Sequence, residues 1–212
     1  RLTIVGYTSA TVVSVKPNKT VPVTMRAVAL TTWAMAVDVV SGLSHLEDKE
    51  VTVLGDGFVV ANPNNPKYSV LTVTGGSITL DKPYAVIHVG LPFLSDIETL
   101  DIDTGSGESI ADKKKIVQKV TAFVEEARGI WAGAQPPSDD ATNALEGLQE
   151  YKPRNSEPYD SPPSIIASDQ VDINIQPEWN SNGRVFIRQV DPLPLTVLAI
   201  MPAGLFPFRG AA

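Results

Sequence analysis

Cysteine is absent from the 212 residues, and histidine occurs twice, at His45 and His88. The first absence excludes disulfides and thiolate metal sites. It says little about compartment, because a reducing cytoplasm merely disfavours disulfides. The second leaves a Ser-His-Asp arrangement or a histidine-rich metal centre little to draw on. Charge is scarce as well: 19% of residues are charged against 43% apolar. Such a chain either buries much of its surface or covers part of it with neighbours. Basic residues are the minority, 17 against 24 acids, for a net charge of −7. That balance argues against a surface that grips nucleic acid and is compatible with one along which DNA slides. No uninterrupted apolar run approaches the roughly 20 residues of a membrane-spanning helix. The chain opens Arg1-Leu2-Thr3 with no basic-then-apolar signal pattern, so a processed product or the ordered tail of a longer polypeptide is expected.

What the chain does contain is strand. The length suits one or two domains with a proper core. Residues 2–40 are rich in Val, Thr and Ala, and "LTIVGYTSATVVSV" and "TVPVTMRAVAL" read as two strand runs parted by a turn at "KPNK". In the second run Val21, Val23 and Met25 are expected to share a face. "TTWAMAVDVV" continues in the same style. "EVTVLGDGFVV" and "VLTVTGGSITL" are each strand, Gly-containing turn, strand, the second after a loop "ANPNNPK". "PYAVIHVGLPF" adds a strand with Ala85, Ile87 and Val89 on one side and Val86 and His88 on the other.

Residues 113–133 fit a helical stripe as well as a strand. Composition, the lysines at the start and Gly129 favour a strand running through a turn at 127–129, with a short helical lead-in. Between Ala134 and Ser164 lie six prolines and six carboxylates, with "ATNALEGLQEY" the one helix-like piece. That stretch reads as a connector draped over a surface or a neighbouring subunit. "QVDINIQPEW", "NSNG" and "RVFIRQV" carry a hairpin signal, with Asn182-Gly183 suited to the turn. The apolar tail "DPLPLTVLAIMPAGLFPF" is punctuated by prolines, so it should lie along a sheet edge and pack against something. The expectation is a mainly β fold of antiparallel, sandwich- or barrel-like sheets, with a long Pro-rich connector and at most one or two short helices. The expected division is an N-terminal β segment at 1–40, a central β domain at 41–133, a connector at 134–165, and a hairpin with apolar tail at 166–212.

Candidate chemistry is thin. In "GLSHLEDKEVTVLGDG", His45 and Glu47 could meet one ion only with further ligands, and His88 lies on a distant strand. Turns around a strand explain the segment better. In "SDIETLDIDTGSGES", Asp96, Glu98, Asp101 and Asp103 could include an acid/base pair, or Asp101, Asp103 and Asp112 a calcium loop. The loop fails its own pattern at Gly105 and Ser106, and alternating acids on an exposed strand face are the simpler reading. Gly105-Ser106-Gly107 lacks the ending of a phosphate loop, and "GESIA" lacks the setting of a nucleophile elbow. Lys113–Lys115 reads as a solvated face. Asn18-Lys19-Thr20 is a bare glycosylation triplet. No catalytic residue, cofactor or metal site is assigned.

Four segments, "SGLSHLEDKEVTVLGDG", "GGSITLDKPYAVIHVGLPFLSDIETLDID", "ARGIWAG" and "GRVFIRQVDPLPLTVLAIMP", together resemble the C-terminal part of tail nozzle proteins of short-tailed bacteriophages, also called tail tubular protein B. The resemblance runs discontinuously from Ser41 to Pro202, and its last block is the most specific. The family usually has Gly where this chain has Asp48, and Ala where it has Gly55. Its members are typically much longer. The resemblance implies a virion structural protein without catalytic residues, made in the bacterial host's cytoplasm and built into the phage tail. It also implies a homo-oligomeric ring, usually of six subunits, that adjoins the portal-side adaptor and other tail proteins. The ring's lumen would pass double-stranded DNA during ejection without binding it specifically. On that reading, some of Asp96, Glu98, Asp101 and Asp103 are expected to face the channel. Two other classes stay open at this point: a receptor- or carbohydrate-binding module of a tail fibre, drawing on Trp33, Trp131 and Trp179, and a hydrolase using the acids of 96–103.

Overall fold

In the computed structural model, residues 2–17, 20–26, 35–103, 109–152 and 165–205 are described. The "KPNK" turn, the glycosylation triplet, Trp33 and Gly105–Gly107 fall wholly or partly outside them. The chain divides into two units, Arg1–Ala34 and Met35–Ala212.

The first unit is a hairpin of β1 (Leu2–Ser9) and β2 (Val12–Pro17). The run expected to be one strand thus folds back on itself at Ala10–Thr11, without glycine or proline. Ser9 supplies the turn chemistry, its Oγ accepting the Thr11 backbone N–H at 3.4 Å. Two bulges, at Val5 and Thr8, adjust the register. Leu2, Ile4 and Tyr7 consequently stand opposite Pro17, Val15 and Val13 on one apolar face. Val21–Met25 does not form the expected strand face. Pro22 has no N–H to give a ladder, Val23–Met25 closes as a 3-10 turn, and the Arg26 guanidinium reaches back to the Val21 carbonyl.

The second unit has two lobes. The first holds β3 (Val37–Ser41), β4 (Glu50–Gly55), β5 (Phe58–Ala61), β6 (Leu71–Thr72), β7 (Ser77–Tyr84) and β8 (Ile87–Gly90). β4 is central, pairing with β5, β6 and β8, while β3 pairs with β7. Alternation sends Val51 and Val53 of β4 and Ile78 and Leu80 of β7 into one core with Leu43, Val73 and Tyr84. The β4–β5 turn uses Asp56 at φ +50 and Gly57 at φ +84, the paired left-handed geometry that a two-residue hairpin prefers. The Asp56 carboxylate accepts the N–H groups of Ala85 and Val86 at 3.1 and 2.8 Å. That clamp turns the chain at 85–86, so the strand expected through "PYAVIHVG" is split between β7 and β8.

The second lobe holds β9 (Ser95–Glu98), β10 (Lys115–Ala127), β11 (Trp131–Gly133), β12 (Gln149–Glu150), β13 (Ile166–Asn174), β14 (Trp179–Asn180), β15 (Phe186–Gln189) and β16 (Thr196–Leu205). One sheet has β10 between β16 on one side and β13 followed by β14 on the other; a second runs β12-β11-β15-β9. Among the described residues every strand-to-strand pairing is antiparallel, and the sheets stay open, without a closed barrel. Within 113–131 the chain is strand over Lys115–Ala127, with a turn and no helix at 111–113; the ladder skips Glu126, φ +44, and closes at Ala127, before Gly129 at φ +73. Val117, Val120, Ala122 and Val124 face a core with Val171, Ile173 and Ile187. "ATNALEGLQEY" forms turns rather than helix, and Leu145 and Leu148 are buried with Trp131, Phe186 and Val190.

Asn182-Gly183 makes its turn, Asn180 Oδ1 accepting both N–H groups, yet the flanking strands do not pair. β13 goes to β10, and β15 goes to β11 and β9. The tail lies on the sheet edge as expected. β16 pairs along β10 from Leu205 to Thr196, with Pro202 opposite Val120. No described helix is long and apolar enough to cross a membrane.

Candidate functional site

The four acids singled out from the sequence sit on and just after β9, all exposed, and three of them have arginine partners. β9 pairs with β15 so that Asp96 faces Arg188 directly. Arg188 grips Asp96 with two bonds, Nε–Oδ1 at 2.7 Å and Nη2–Oδ2 at 2.8 Å, and donates a third to the Ala144 carbonyl. Such a fork is the strongest geometry available to an ion pair of this kind. Arg184 bridges Glu98, at 3.0 Å, and Asp101, and those two carboxylates hold its guanidinium above its ordinary pKa. Asp103 acts within its own loop, accepting the Ser109 hydroxyl and the Ile110 N–H, both at 2.8 Å. Three carboxylates therefore engage two guanidiniums on this face, one negative charge more than positive among those five groups.

The other sequence candidates separate. Glu47 clamps the turn of the neighbouring hairpin, its two oxygens taking the N–H groups of Gly75 and Gly76 at 2.7 and 2.6 Å. His45 is exposed in a 3-10 turn, and His88 borders a shallow apolar cleft of about 280 Å³ with Leu54, Leu91, Phe93 and Pro192. Among the described residues no group of three or more His, Cys, Asp or Glu could hold a metal ion. The lysine run is only partly the solvated face expected: Lys114 is exposed and Lys113 half-buried, but Lys115 turns inward. Lys115 is fully buried, its ammonium donating to the Ser181 carbonyl at 2.6 Å, because β10 starts here with that residue facing inward.

Sequence reasoning missed the most elaborate polar cluster, at the seam between the two lobes of the second unit. The "ANPNNPK" loop aims two asparagine amides at Asp191. Asn62 Nδ2 reaches the carboxylate at 3.0 Å and the Val190 carbonyl at 2.8 Å, and Asn65 Nδ2 reaches the same Oδ1 at 2.9 Å. All three side chains are buried. Burial pushes the Asp191 carboxyl above the usual aspartate pKa; the two amides oppose that, Glu150 adds to it, and Lys67 opposes it again. Tyr68 beside it is pushed up to about 12, by burial first and then by Asp191 and Glu150. Lys67 pairs with Glu150 and lies 4.8 Å over the Trp131 ring. Gly129, at φ +73, leaves room for the carboxylate, since a Cβ there would stand 3.4 Å from Asp191 Oδ2. The one available signal was compositional: an aspartate between valine and proline in an otherwise apolar stretch.

The arrangement supports a structural latch, with Glu150 paired to Lys67 and Asp191 capped by two amides. Compared with known proteins, the sequence matches no family model and no curated protein.

Proposed function

We propose that the chain is a virion structural protein, a subunit of a ring-shaped tail nozzle or tail tube that lines the channel for DNA ejection. The observation that carries this reading is the spatial pairing of the four sequence blocks behind the resemblance. The first and second blocks interlock through Glu47 with Gly75–Gly76 and Asp56 with Ala85–Val86. The third and fourth pair as β11 with β15, Trp131 opposite Arg188. A resemblance confined to turns and strand edges that meet in space fits an inherited scaffold better than scattered coincidence. Asp48, at the family's glycine position, has φ +59, the conformation glycine adopts most readily. Gly55 departs from the family's alanine because Tyr84 occupies the space, 2.6 Å from where a Cβ would stand.

On this reading the exposed acids at 96, 98, 101 and 103 face passing DNA. Asp96, Glu98 and Asp101 outnumber Arg184 and Arg188 there, a balance that repels phosphates where a basic wall would bind them. The neighbours are further copies of the chain, the portal-side adaptor and other tail proteins. Electron microscopy of the purified protein tests the assembly. A closed ring with an axial opening on the order of 20 Å or more, wide enough for duplex DNA, supports it; a monodisperse monomer at working concentration ends it. Reversing the four acids to lysine should slow ejection in a salt-dependent manner.

A second reading, a carbohydrate-binding module of a tail fibre, draws on one feature. Trp179 is 55% exposed, and it follows Gln176–Glu178, which line a cleft of about 500 Å³ with Gln135, Glu146 and Pro137. Binding of oligosaccharides that is lost in Trp179→Ala would favour it.

A further inference from the structure

The N-terminal hairpin presents an apolar face that the described residues of its own unit leave uncovered. Leu2, Ile4, Tyr7, Val13 and Val15 all project into solvent, Tyr7 at 75% exposure. Two-stranded hairpins are marginal in water without a surface to pack on. The unit is also set apart by charge. Arg1, Lys16, Lys19 and Arg26 are the only charged residues of 1–34, giving +4, so a chain of net −7 carries −11 in the remainder.

The second unit offers a site of matching chemistry. β9 pairs only with β15 among the described residues, so its other edge is open. Ile97 stands in register with the buried Ile187, yet is 39% exposed because no described strand lies beyond it. Leu91, Phe93, Leu94 and Leu100 flank it and are exposed too, Leu100 at 87%. An open strand edge bordered by apolar side chains and acids is what an apolar hairpin carrying Lys16 and no acid would extend.

We propose that the hairpin of one copy adds to the β9 edge of a second copy, its apolar face continuing the row begun by Ile97. This rests on the self-assembling ring reading and names the surfaces that make it. The two surfaces differ, so the contact is head-to-tail and repeats from copy to copy, which a ring requires. A two-stranded face of some 20 by 10 Å is well below the roughly 800 Å² per partner of a standard interface. The hairpin therefore acts as an arm that reinforces a broader contact.

The absence of cysteine makes the test clean. A Tyr7→Cys, Leu94→Cys double variant, oxidised gently, should give a ladder of covalent oligomers, whereas each single variant stops at dimer. Tyr7→Asp should raise the concentration at which assemblies come apart tenfold or more, and added salt should weaken wild-type assembly. Melting of the second unit should stay unchanged, separating lost docking from lost folding. Cross-links confined within one chain would place the arm on its own chain and overturn the proposal. So would assembly by Tyr7→Asp equal to wild type, even if rings form and the nozzle reading stands. A cross-linked ladder from a protein that forms filaments and no ring would sink the nozzle reading and leave this contact intact.

Discussion

The hairpin at 2–17 and the Met35–Ala212 unit are both β, yet stability has different sources in each. In the larger unit alternation points Val, Ile and Leu at one another across sheets, and three clusters are buried. In the hairpin the same residue types alternate equally well and bury nothing of consequence. Strand patterning sets which face is apolar; it does not supply the surface that covers it. The larger unit carries its own cover, and the described residues of the hairpin's unit supply none.

Truncation of matched residues separates the two most sharply. Ile187→Ala, in the buried β15, should cost about 2–5 kcal/mol, read as a loss of chemical stability in denaturant titration. Ile4→Ala on the hairpin should leave that transition where it is, within about 0.5 kcal/mol. Equal losses would show that the hairpin folds with the rest. Removing the seam acceptor comes next: Asp191→Ala leaves two buried asparagine amides short of a partner and should cost roughly 2–4 kcal/mol.

The same carboxylate gives a smaller, pH-dependent effect. Its pKa is raised on folding, so the folded state holds the proton more tightly. Its contribution is most favourable below the ordinary aspartate value and is lost as pH rises through the folded pKa. Asp191→Asn keeps an acceptor and cannot ionise. The wild-type melting temperature should therefore fall relative to Asp191→Asn as pH climbs out of the acidic range. A constant difference between the two would place the group's pKa at its ordinary value. Asp96→Asn should change stability by no more than about 1 kcal/mol, because even a forked ion pair on the surface is largely screened.

Local chemistry made the turns legible. Asp56-Gly57, Gly75-Gly76 and Asn182-Gly183 each turn where the sequence says, because left-handed backbone is a property of those residues themselves. Which strands the turns join was not legible. Nothing near Asn182 indicates that the flanking strands part, one to β10 and the other to β11 and β9. The reversal at Ala10–Thr11 was hidden because its bond comes from a serine hydroxyl rather than from glycine. Exposure of the acids at 96–103 followed from their alternation, whereas their arginine partners lie more than eighty residues away. The Asn62–Asn65–Asp191 latch joins loops 126–129 residues apart, and no spacing rule reaches that far.

The long central strand β10 has a consequence for how the chain is made. Its neighbours β13 and β16 leave the ribosome some fifty and eighty residues after it. The first lobe can fold while synthesis continues, but the second must hold a thirteen-residue strand with an apolar face without its lid until residue 205 has been translated. Slow translation or truncation in that interval exposes the strand to aggregation, making delayed closure the vulnerable moment in this protein's life.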